Sequence, residues 1–439
     1  MAFTKEFLIG AATAAHQVEG NNRNSDYWIL EHLPHSSFIE PSGEACDHYH
    51  RYEEDIKLMA AAGLNAYRFS IEWARIEPEE GKFDEREIEH YRDVIRCCRA
   101  NGIEPIVTLM HFTSPAWLIR KGGWEAESTI EYFRRYASYV TEKLGAELNY
   151  ICTINEANMG LQLAAISRRF RLMAEQAAKK GASDAKKAEG RVQVGMNFEK
   201  MMENMKFAAI ENAQAFGTPQ PQIFVSARTA EGDALVFRAH QAAKKAIKAL
   251  YPDIRVGITL SLHDLQAMPG GESYAEAAWD EEFRHYLPYI ADDDFLGVQN
   301  YTRTQYGPAG QLPCPEGAEL TQMDYEFYPE ALEHVIRRVA EEFKGDLIVT
   351  ENGVAVSDDR RRVEFIRRAL AGVESCIKDG IPIKGYMYWS LLDNFEWQKG
   401  FSMTFGLIAV DRTTQTRTPK ESLAFLGSYR KETRLSGEI

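Results

Sequence analysis

The sequence predicts an α/β fold, a single (β/α)8 TIM barrel that extends over residues 1–439. Two observations support this prediction. Eight short runs are almost continuously apolar, which is typical of parallel strands covered on both faces. Segments with helix signals separate these runs along the whole chain. Although 439 residues would suffice for two or three domains, α/β barrels of this length occur as one unit, and no Pro- or Ser-rich linker divides the chain.

The predicted strands are short and are spaced widely enough for a helix to connect each pair. In chain order they cover residues 7–12, 66–71, 104–110, 150–154, 255–260, 295–299, 347–350 and 384–389. Parallel strands need such crossover connections, because the chain must return to the same end of the sheet before the next strand begins.

Helix start and stop signals mark several of the connecting segments. Asp84 begins a D-x-x-E capping pattern ahead of an apolar stripe, which Asn101 and the following glycine end. Ser128 begins a similar pattern, and Gly145 follows its last apolar residue. Pro329 predicts the start of a further helix, because proline is favoured in the first helical turn.

The connection between predicted strands four and five is longer than the others and predicts a helical excursion around 160–235. Within it, residues 168–206 include ten basic and five acidic residues, in a chain that is acidic overall. Such a charge run is typical of a solvated helical face. Because loops that follow barrel strands surround the substrate site, a lid or a wall of that site is the alternative interpretation.

Composition and charge exclude several classes of function. The chain has 51 basic and 65 acidic residues and a formal net charge of −14, whereas a nucleic-acid-binding protein shows a basic footprint. No run approaches the ~20 apolar residues of a membrane span, and the first ten residues lack a signal-peptide pattern. The six cysteines form no C-x-x-C pair, which indicates reduced thiols. We therefore expect a cytoplasmic protein without nucleic-acid or membrane partners.

Polar and aromatic residues follow the predicted strands at the ends where barrel enzymes carry their chemistry. Carboxylates, amides and indoles occur together there, and this combination binds sugars. Carboxylates and amides hydrogen-bond the hydroxyl groups, while aromatic rings cover the apolar face of a pyranose. Glu156 and Glu351 follow strands four and seven, on roughly opposite sides of an eight-stranded ring, so both are placed to flank one bond.

The residues at these strand ends lie in sequence blocks that resemble glycoside hydrolase family 1, the β-glucosidase family. The resemblance extends from end to end of the chain, and the combination of TINE, TENG and WSLLDNFEW in this order is highly specific. The matching blocks are FLIGAATAAHQVEG, DHYHRYEEDI, AYRFSIEWARIEP, VTLMHF, TINEAN, DFLGVQNY, VTENG, YWSLLDNFEW and FGLIAVD.

The resemblance implies a role for each residue that matches a family motif. Glu156 matches the acid/base and Glu351 the nucleophile of a retaining β-glycosidase. Arg68 and Tyr301 match the two neighbours of the nucleophile. The residues that match the binding site of the nonreducing sugar are Gln17, His111, Asn155, Trp389, Glu396 and Trp397, with Gln299 in the place of an amide that contacts the sugar 2-hydroxyl. No cofactor or metal is implied.

Three positions depart from the family pattern. Ala157 stands where proline follows the acid/base, Gln299 where asparagine is usual, and Phe112 where tryptophan is common. These differences bear on the choice of aglycone and on the geometry around the 2-hydroxyl. Glu396, by contrast, keeps the acid that relatives acting on 6-phosphorylated sugars replace, which favours a neutral glycone.

The expected reaction is hydrolysis of a nonreducing terminal β-linked neutral sugar from small glycosides or oligosaccharides, with glucose in the first place and galactose or fucose as alternatives. Retention by double displacement requires two carboxyls about 5–5.5 Å apart, and we expect that separation between Glu156 and Glu351. Arg68 should keep Glu351 ionised, whereas burial and the neighbouring anion should raise the pKa of Glu156.

Three other functions are consistent with the fold. A transglycosylase would use the same glycosyl-enzyme intermediate, and a catalytically silent barrel would only bind glycans, although both carboxylates are present here. A metal-dependent hydrolase is disfavoured, because strand one ends in His16-Gln17-Val18 and lacks a second histidine. His48 and His50 have the spacing but lie on a predicted helix, where they point apart. We expect a small-molecule glycoside as the partner, and the sequence leaves an oligomer open.

Overall fold

Eight parallel strands close a barrel, which confirms the predicted fold class. The computed structural model describes residues 3–168 and 193–435, and of 431–435 it describes the backbone alone. Round the ring, the barrel strands are β1 (Leu8–Ala12), β2 (Ala66–Ser70), β3 (Glu104–Met110), β4 (Tyr150–Ile154), β5 (Arg255–Ser261), β7 (Phe295–Gln299), β10 (Asp346–Asn352) and β11 (Ile383–Trp389), which pairs back to β1. Each strand begins and ends within about two residues of its predicted bounds.

The other strands belong to two small sheets outside the barrel. They are β6 (Asp264–Ala267), β8 (Arg303–Gly307) and β9 (Gly310–Gln311) in a three-stranded sheet, and β12 (Ile408–Val410) and β13 (Arg417–Pro419) in an antiparallel hairpin. These additions lie in the connections that leave the C-terminal ends of β5, β7 and β11. They therefore extend the end of the barrel where the candidate site residues gather.

Helices connect the strands and bury their apolar stripes, as on α5, where the predicted stripe is buried. The helices are α1 (Ala15–Val18), α2 (Asp26–Glu31), α3 (His48–Ala62), α4 (Trp73–Ile76), α5 (Glu85–Ala100), α6 (Ala116–Arg120), α7 (Ser128–Leu144), α8 (159–168), α9 (Phe198–Phe216), α10 (Ala230–Leu250), α11 (Glu272–Glu282), α12 (Leu287–Ile290), α13 (Ala331–Glu342), α14 (Asp359–Lys378) and α15 (Glu421–Leu435).

The helix starts follow the sequence signals with two corrections. Asp84 caps α5 as predicted, since its side chain accepts a hydrogen bond from a backbone N–H of the first turn. Ser128 is instead the first residue of α7. The position before it, Glu127, already has helical backbone angles and makes no side-chain cap bond. The helix predicted to start at Pro329 begins two residues later, so the proline stands ahead of the first turn of α13.

Side chains of the barrel strands alternate between two packed layers. Ile106 on β3 and Ile348 on β10 belong to a buried cluster inside the barrel, whereas their neighbours Val107 and Val349 pack between the strands and the helices. The inner cluster extends up to Trp389 at the end of β11. The barrel interior is therefore filled by side chains, and it forms the floor beneath the strand ends.

Part of the predicted excursion is described, namely α8, residues 193–197 and α9, while the prediction over 169–192 lies outside the described residues. Helix α9 is fixed against the loop that follows α2. Lys200 Nζ donates to the Phe38 carbonyl at 2.6 Å, and the side-chain amide of Asn204 donates to the Ser36 carbonyl at 3.1 Å. These bonds determine where residues 193–197, which lead into α9, enter the structure.

The six cysteines are free, and four of them are buried. Within residues 3–168 and 193–435, none of the helices combines the length with the apolar composition that crossing a bilayer requires.

A buried ion pair joins the C-terminal hairpin to α3, and its loss should destabilise the fold. Arg417 Nε lies 2.8 Å from Asp55 Oδ1, and both side chains are fully buried. Asp55→Ala would leave the guanidinium buried without its anion, which costs about 3–5 kcal/mol. We expect a large loss of unfolding free energy in urea denaturation. The control is Glu53→Ala on the same helix, which removes an exposed pair with Lys57 and should change nothing measurable.

Candidate active site

A pocket lies at the C-terminal end of the barrel and encloses about 280 Å³ of empty space, part of it open to solvent. The residues that line it are His111, Phe112, Asn155, Glu156, Gln193, Val194, Tyr301, Glu351, Trp389, Glu396, Trp397 and Phe405. All the predicted site residues are among them except Gln17, Arg68 and Gln299.

These three residues lie one layer behind the pocket surface, where each is fully buried. Gln17 Nε2 lies 3.4 Å from Glu396 Oε2. Gln299 Nε2 donates to Asn155 Oδ1 at 2.9 Å. Arg68 reaches two of the lining residues. The structure therefore brings all the predicted residues to one place, in two layers.

Glu351 occupies the end of β10, where the pairing register with both neighbouring strands shifts. Arg68 Nη1 donates to Glu351 Oε1 at 2.6 Å, and the Tyr301 hydroxyl donates to Oε2 at 2.5 Å. Two residues on, a Cβ on Gly353 would lie 1.8 Å from the Trp389 carbonyl oxygen. Glycine is therefore required for the close approach of the chain to the end of β11.

Arg68 also fixes the orientation of the Asn155 side chain. Its Nη2 donates to Asn155 Oδ1 at 2.6 Å. Gln299 and Thr259 donate to the same oxygen. The amide nitrogen of Asn155 must therefore face His111, whose Nε2 lies 3.1 Å away and accepts the hydrogen bond. This contact places the His111 proton on Nδ1.

The imidazole of His111 is neutral and has a free N–H. Burial, and then the positive charge of Arg68, lower the pKa of His111 well below its ordinary value. Nδ1 is buried and has no hydrogen-bond partner among the described residues. Since His111 lines the pocket, this N–H is available to donate to an oxygen of a ligand.

Glu156 follows β4 with a backbone φ of +43°, which is uncommon for a residue other than glycine. Its backbone N–H donates to Thr259 Oγ1 at 2.9 Å. The Ser261 hydroxyl hydrogen-bonds its carboxyl. Because both partners lie on β5, the neighbouring strand holds Glu156 in this conformation from two sides.

The two carboxyls differ in their electrostatic surroundings. Burial, and then the charge of Glu351, raise the pKa of Glu156 well above its ordinary value. Burial also raises the pKa of Glu351, although the charge of Arg68 and the hydrogen bond from Tyr301 oppose it. Arg68 acts as predicted, but burial outweighs it. Since Arg68 and Tyr301 contact Glu351 directly, Glu351 ionises first and Glu156 keeps its proton.

Glu396 supplies a third buried carboxyl. The backbone N–H of Gly195 donates to Glu396 Oε1 at 3.0 Å. Burial raises the pKa of Glu396 to about 8, the bond from Gly195 opposes this rise, and the charge of Glu351 adds to it. At neutral pH the carboxyl is therefore protonated and can both donate and accept hydrogen bonds. Beside it, Gln17 Oε1 is buried without a partner among the described residues.

Aromatic rings form one wall of the pocket. Trp389 stacks on the His111 ring with centroids 5.6 Å apart, and Phe112 lies 5.3 Å from the Trp397 ring. Phe112 and Trp397 have φ values of +69° and +48°. Such left-handed residues cost about 1–3 kcal/mol each and persist where surrounding contacts determine them. With Glu156, three residues of the pocket surface have this strained geometry.

Four lining residues are not among the predicted site residues, namely Phe112, Gln193, Val194 and Phe405. Of these, Phe112 was named from the sequence only as a departure from the family pattern. Gln193 and Val194 belong to residues 193–197, which we call the strap. Phe405 packs edge-on to Tyr301 with centroids 6.2 Å apart. A signal for Phe405 was present, because it begins the block FGLIAVD, to which no role was assigned. The strap, with the sequence Q-V-G-M-N, contains no charged residue and interrupts the charged excursion.

The histidines of the alternative metal-site hypothesis bond to other protein groups. His16 Nε2 lies 3.4 Å from Glu31 Oε2, and His16 Nδ1 lies 3.1 Å from the Asn22 amide nitrogen. His48 and His50 point apart on α3, toward different acidic partners. Across the described ranges 3–168 and 193–435, no group of three His, Cys, Asp or Glu side chains is arranged to bind a metal ion.

Comparisons with known proteins find relatives that match almost the whole chain. The model of glycosyl hydrolase family 1 matches residues 1–171 and 311–434, which leaves the strap outside the match. A beta-glucosidase of Agrobacterium sp. is 31% identical over 96% of this chain and 93% of its own length. A bifunctional beta-D-glucosidase/beta-D-fucosidase of Bifidobacterium breve is 29% identical over 96% of each chain. The crystal structure of beta-glycosidase BGL167 has a TM-score of 0.85 and 45% identity over 98% of each chain.

The raised pKa of Glu396 predicts a pH-dependent effect on stability. In the unfolded chain this carboxyl has its ordinary pKa of 4.5, whereas in the folded protein its pKa is about 8. The wild type therefore loses stability as pH rises from 4.5 to 8, and Glu396→Gln removes this loss. We expect the melting temperature of the variant, relative to wild type, to be higher at pH 9 than at pH 5.

The other pocket carboxyls are present in both proteins, so their titration contributes to this difference only through their interaction with the charge of Glu396. A melting-temperature difference that is the same at pH 5 and pH 9 would show that Glu396 ionises normally in the folded protein.

Proposed function

The chain belongs to glycosyl hydrolase family 1, and we propose that this β-glycosidase hydrolyses a nonreducing terminal β-linked neutral sugar with retention of configuration. β-D-Glucose is the proposed glycone, with galactose and fucose as alternatives. The observation that carries the proposal is that one pocket contains two buried carboxyls in opposite surroundings. Glu351 contacts a guanidinium and a phenol, whereas Glu156 has a raised pKa and remains protonated.

In the first half of the proposed reaction, the Glu351 carboxylate attacks the anomeric carbon. The bond from this carbon to the leaving oxygen breaks, and Glu156 gives its proton to that oxygen. Arg68 and Tyr301 hold the attacking carboxylate ionised and oriented. In-line attack and proton donation from opposite sides of the bond require the two carboxyls to be about 5–5.5 Å apart.

In the second half, water attacks the same carbon and Glu156 takes its proton, so that the ester bond to Glu351 breaks. The change of role follows from the electrostatics. The charge of Glu351 raises the pKa of Glu156 in the free enzyme. Once Glu351 is esterified, this repulsion is absent, and Glu156 can act as a base.

Unpaired polar atoms at the pocket surface and in the layer behind it support a neutral sugar as the glycone. His111 Nδ1 is a donor and Gln17 Oε1 an acceptor, and neither has a partner among the described residues. The protonated Glu396 can serve as either. A carboxyl at this position would repel a phosphate once ionised, whereas it can hydrogen-bond a hydroxyl. The names of two relatives, a beta-glucosidase and a beta-D-glucosidase/beta-D-fucosidase, agree with glucose or fucose.

We further propose that the chain forms one catalytic domain, with the strap as part of its site, and that it acts on small glycosides in the cytoplasm without a cofactor. The six free cysteines support this compartment, because reduced thiols are the ordinary state of cytosolic proteins.

The assignment of the nucleophile can be tested by trapping. A 2-fluoro β-glucoside with an activated leaving group should inactivate the enzyme and add one fluoroglycosyl unit to Glu351, because the fluorine slows the second step more than the first. Peptide mass spectrometry locates the label. Glu351→Gln should remain unlabelled and lose nearly all turnover. A label on any other residue would contradict the assignment.

The acid role of Glu156 predicts an effect that depends on the leaving group. In Glu156→Ala, we expect alkyl glycosides to lose about 10²–10⁴-fold in kcat/KM, the usual contribution of acid catalysis. Dinitrophenyl glycosides should lose far less in the first step, because their leaving oxygen needs no proton. Burst kinetics with both substrate classes measure this difference. Equal losses for both classes would exclude Glu156 as the acid.

A further inference from the structure

The first two residues of the strap line the same pocket as the two proposed catalytic carboxyls, and Gln193 makes two side-chain hydrogen bonds there. The backbone N–H of Tyr301 donates to Gln193 Oε1 at 2.7 Å. Gln193 Nε2 lies 2.9 Å from Ser261 Oγ. Gln193 is itself buried, with 5% of its surface exposed. Both polar ends of this side chain are therefore satisfied by residues that follow or end barrel strands.

The direction of both hydrogen bonds is fixed. A backbone N–H can only donate, so the oxygen of Gln193 must face Tyr301. The amide nitrogen of Gln193 must then donate to Ser261 Oγ. Because the Ser261 oxygen accepts this bond, its own hydrogen is free to be donated, and the Ser261 hydroxyl is in hydrogen-bond contact with the carboxyl of Glu156.

The two partners of Gln193 each contact one of the two carboxyls. Ser261 hydrogen-bonds Glu156, and the Tyr301 hydroxyl donates to Glu351 at 2.5 Å. One glutamine thus joins the residue that supports the proton donor to the residue that supports the nucleophile. Such a bridge fixes both supports relative to each other, which proximity-dependent catalysis requires.

We propose, on the basis of the function proposed above, that Gln193 is a positioning residue that directs the Ser261 hydroxyl toward Glu156 and holds Tyr301 against Glu351. The strap provides this residue from a segment outside the matched family ranges. Gln193 acts through its neighbours, and it sets how readily Glu156 exchanges its proton between the two halves of the reaction.

The remainder of the strap also packs closely against the pocket, at Glu396. Gly195 donates its backbone N–H to Glu396 and accepts a bond from the Gln398 N–H at 2.9 Å. A Cβ on Gly195 would lie 2.4 Å from the Glu396 carbonyl oxygen and 3.0 Å from its Oε1. Only glycine allows this approach. Hydrogen bonds at Gln193, Gly195 and Asn197 therefore hold the strap in place along its length.

The first test is the pH profile of Gln193→Ala. The hydrogen bond from Ser261 favours the ionised form of Glu156 and so lowers its pKa. Without Gln193, the Ser261 hydroxyl can rotate away from Glu156, and the pKa of Glu156 should then rise. We expect the alkaline limb of kcat/KM to move to higher pH. We also expect kcat to fall about 10-fold with little change in KM, the factor that one hydrogen bond lost from the transition state removes.

Gln193→Glu is a second variant of nearly the same shape, which decides the question if Gln193→Ala does not fold. A carboxylate at this position still accepts from the Tyr301 N–H but also accepts from the Ser261 hydroxyl. It therefore turns the hydroxyl away from Glu156 and adds a negative charge. We expect its alkaline limb to move further upward than that of Gln193→Ala.

The groups that face Glu156 from other elements are unchanged in these variants. A shift of the alkaline limb of kcat/KM therefore reflects the changes at positions 193 and 261. These groups are Arg68, Tyr301, Tyr325, Glu351 and Glu396. Ser261→Ala should move the limb upward on its own. Gln193→Ala in that background should move it no further, because both residues act through one hydroxyl.

Gln162 provides a matched control. This buried glutamine donates to the backbone carbonyl of Ser261 at 2.8 Å, without reaching its hydroxyl. Gln162→Ala should leave the alkaline limb in place, as a purely structural glutamine would. An unmoved limb in Gln193→Glu, or shifts that add in the double variant, would overturn the positioning role.

An error in the proposed function can be distinguished from an error in the role of Gln193, because it would show in the wild-type enzyme. Absence of turnover of aryl β-glycosides by the wild type, or a 2-fluoro label away from Glu351, would contradict the proposed function itself. A normal wild-type profile with an unmoved limb in Gln193→Glu would contradict the role of Gln193 alone.

Discussion

The arrangement of the site depends on one buried positive charge. Arg68 lies on β2, behind the pocket surface and with no exposed surface of its own, and a guanidinium there is tolerated only if anions and acceptors surround it. It reaches Glu351 on β10 and Asn155 after β4, each at 2.6 Å. Three strands that are not neighbours in the barrel are thereby connected through one side chain. Through Asn155, the same charge also determines the tautomer of His111.

One cation cannot neutralise three buried carboxyls, so the protonation states follow from distance. Glu351 contacts Arg68 directly and ionises first. Glu156 and Glu396 are both buried, and the charge of Glu351 raises the pKa of each. The pocket therefore has one anion beside two acids near neutral pH. The same arrangement provides a nucleophile, a proton donor and a group that can bond a hydroxyl in either direction.

Local sequence patterns predicted the barrel, but not every residue at its mouth. Strands such as β3 were recognised because a parallel strand covered on both faces must be apolar throughout. Glu156 and Glu351 were found because strand ends converge in a barrel. Gln193 could not be predicted in this way, since its bonds to Ser261 and Tyr301 connect positions 68 and 108 residues apart. Ser128 resembled a cap, but Glu127 already has helical angles.

The departure at Gln299 shows how the layer behind the pocket accommodates a different side chain. Glutamine is one methylene longer than the asparagine usual at this position in the family. Its amide nitrogen donates to Asn155 Oδ1 at 2.9 Å, and the same side chain hydrogen-bonds Glu351. Its Oε1 is left without a partner among the described residues. The longer side chain therefore joins the network around Arg68 and leaves one buried acceptor unpaired behind the nucleophile.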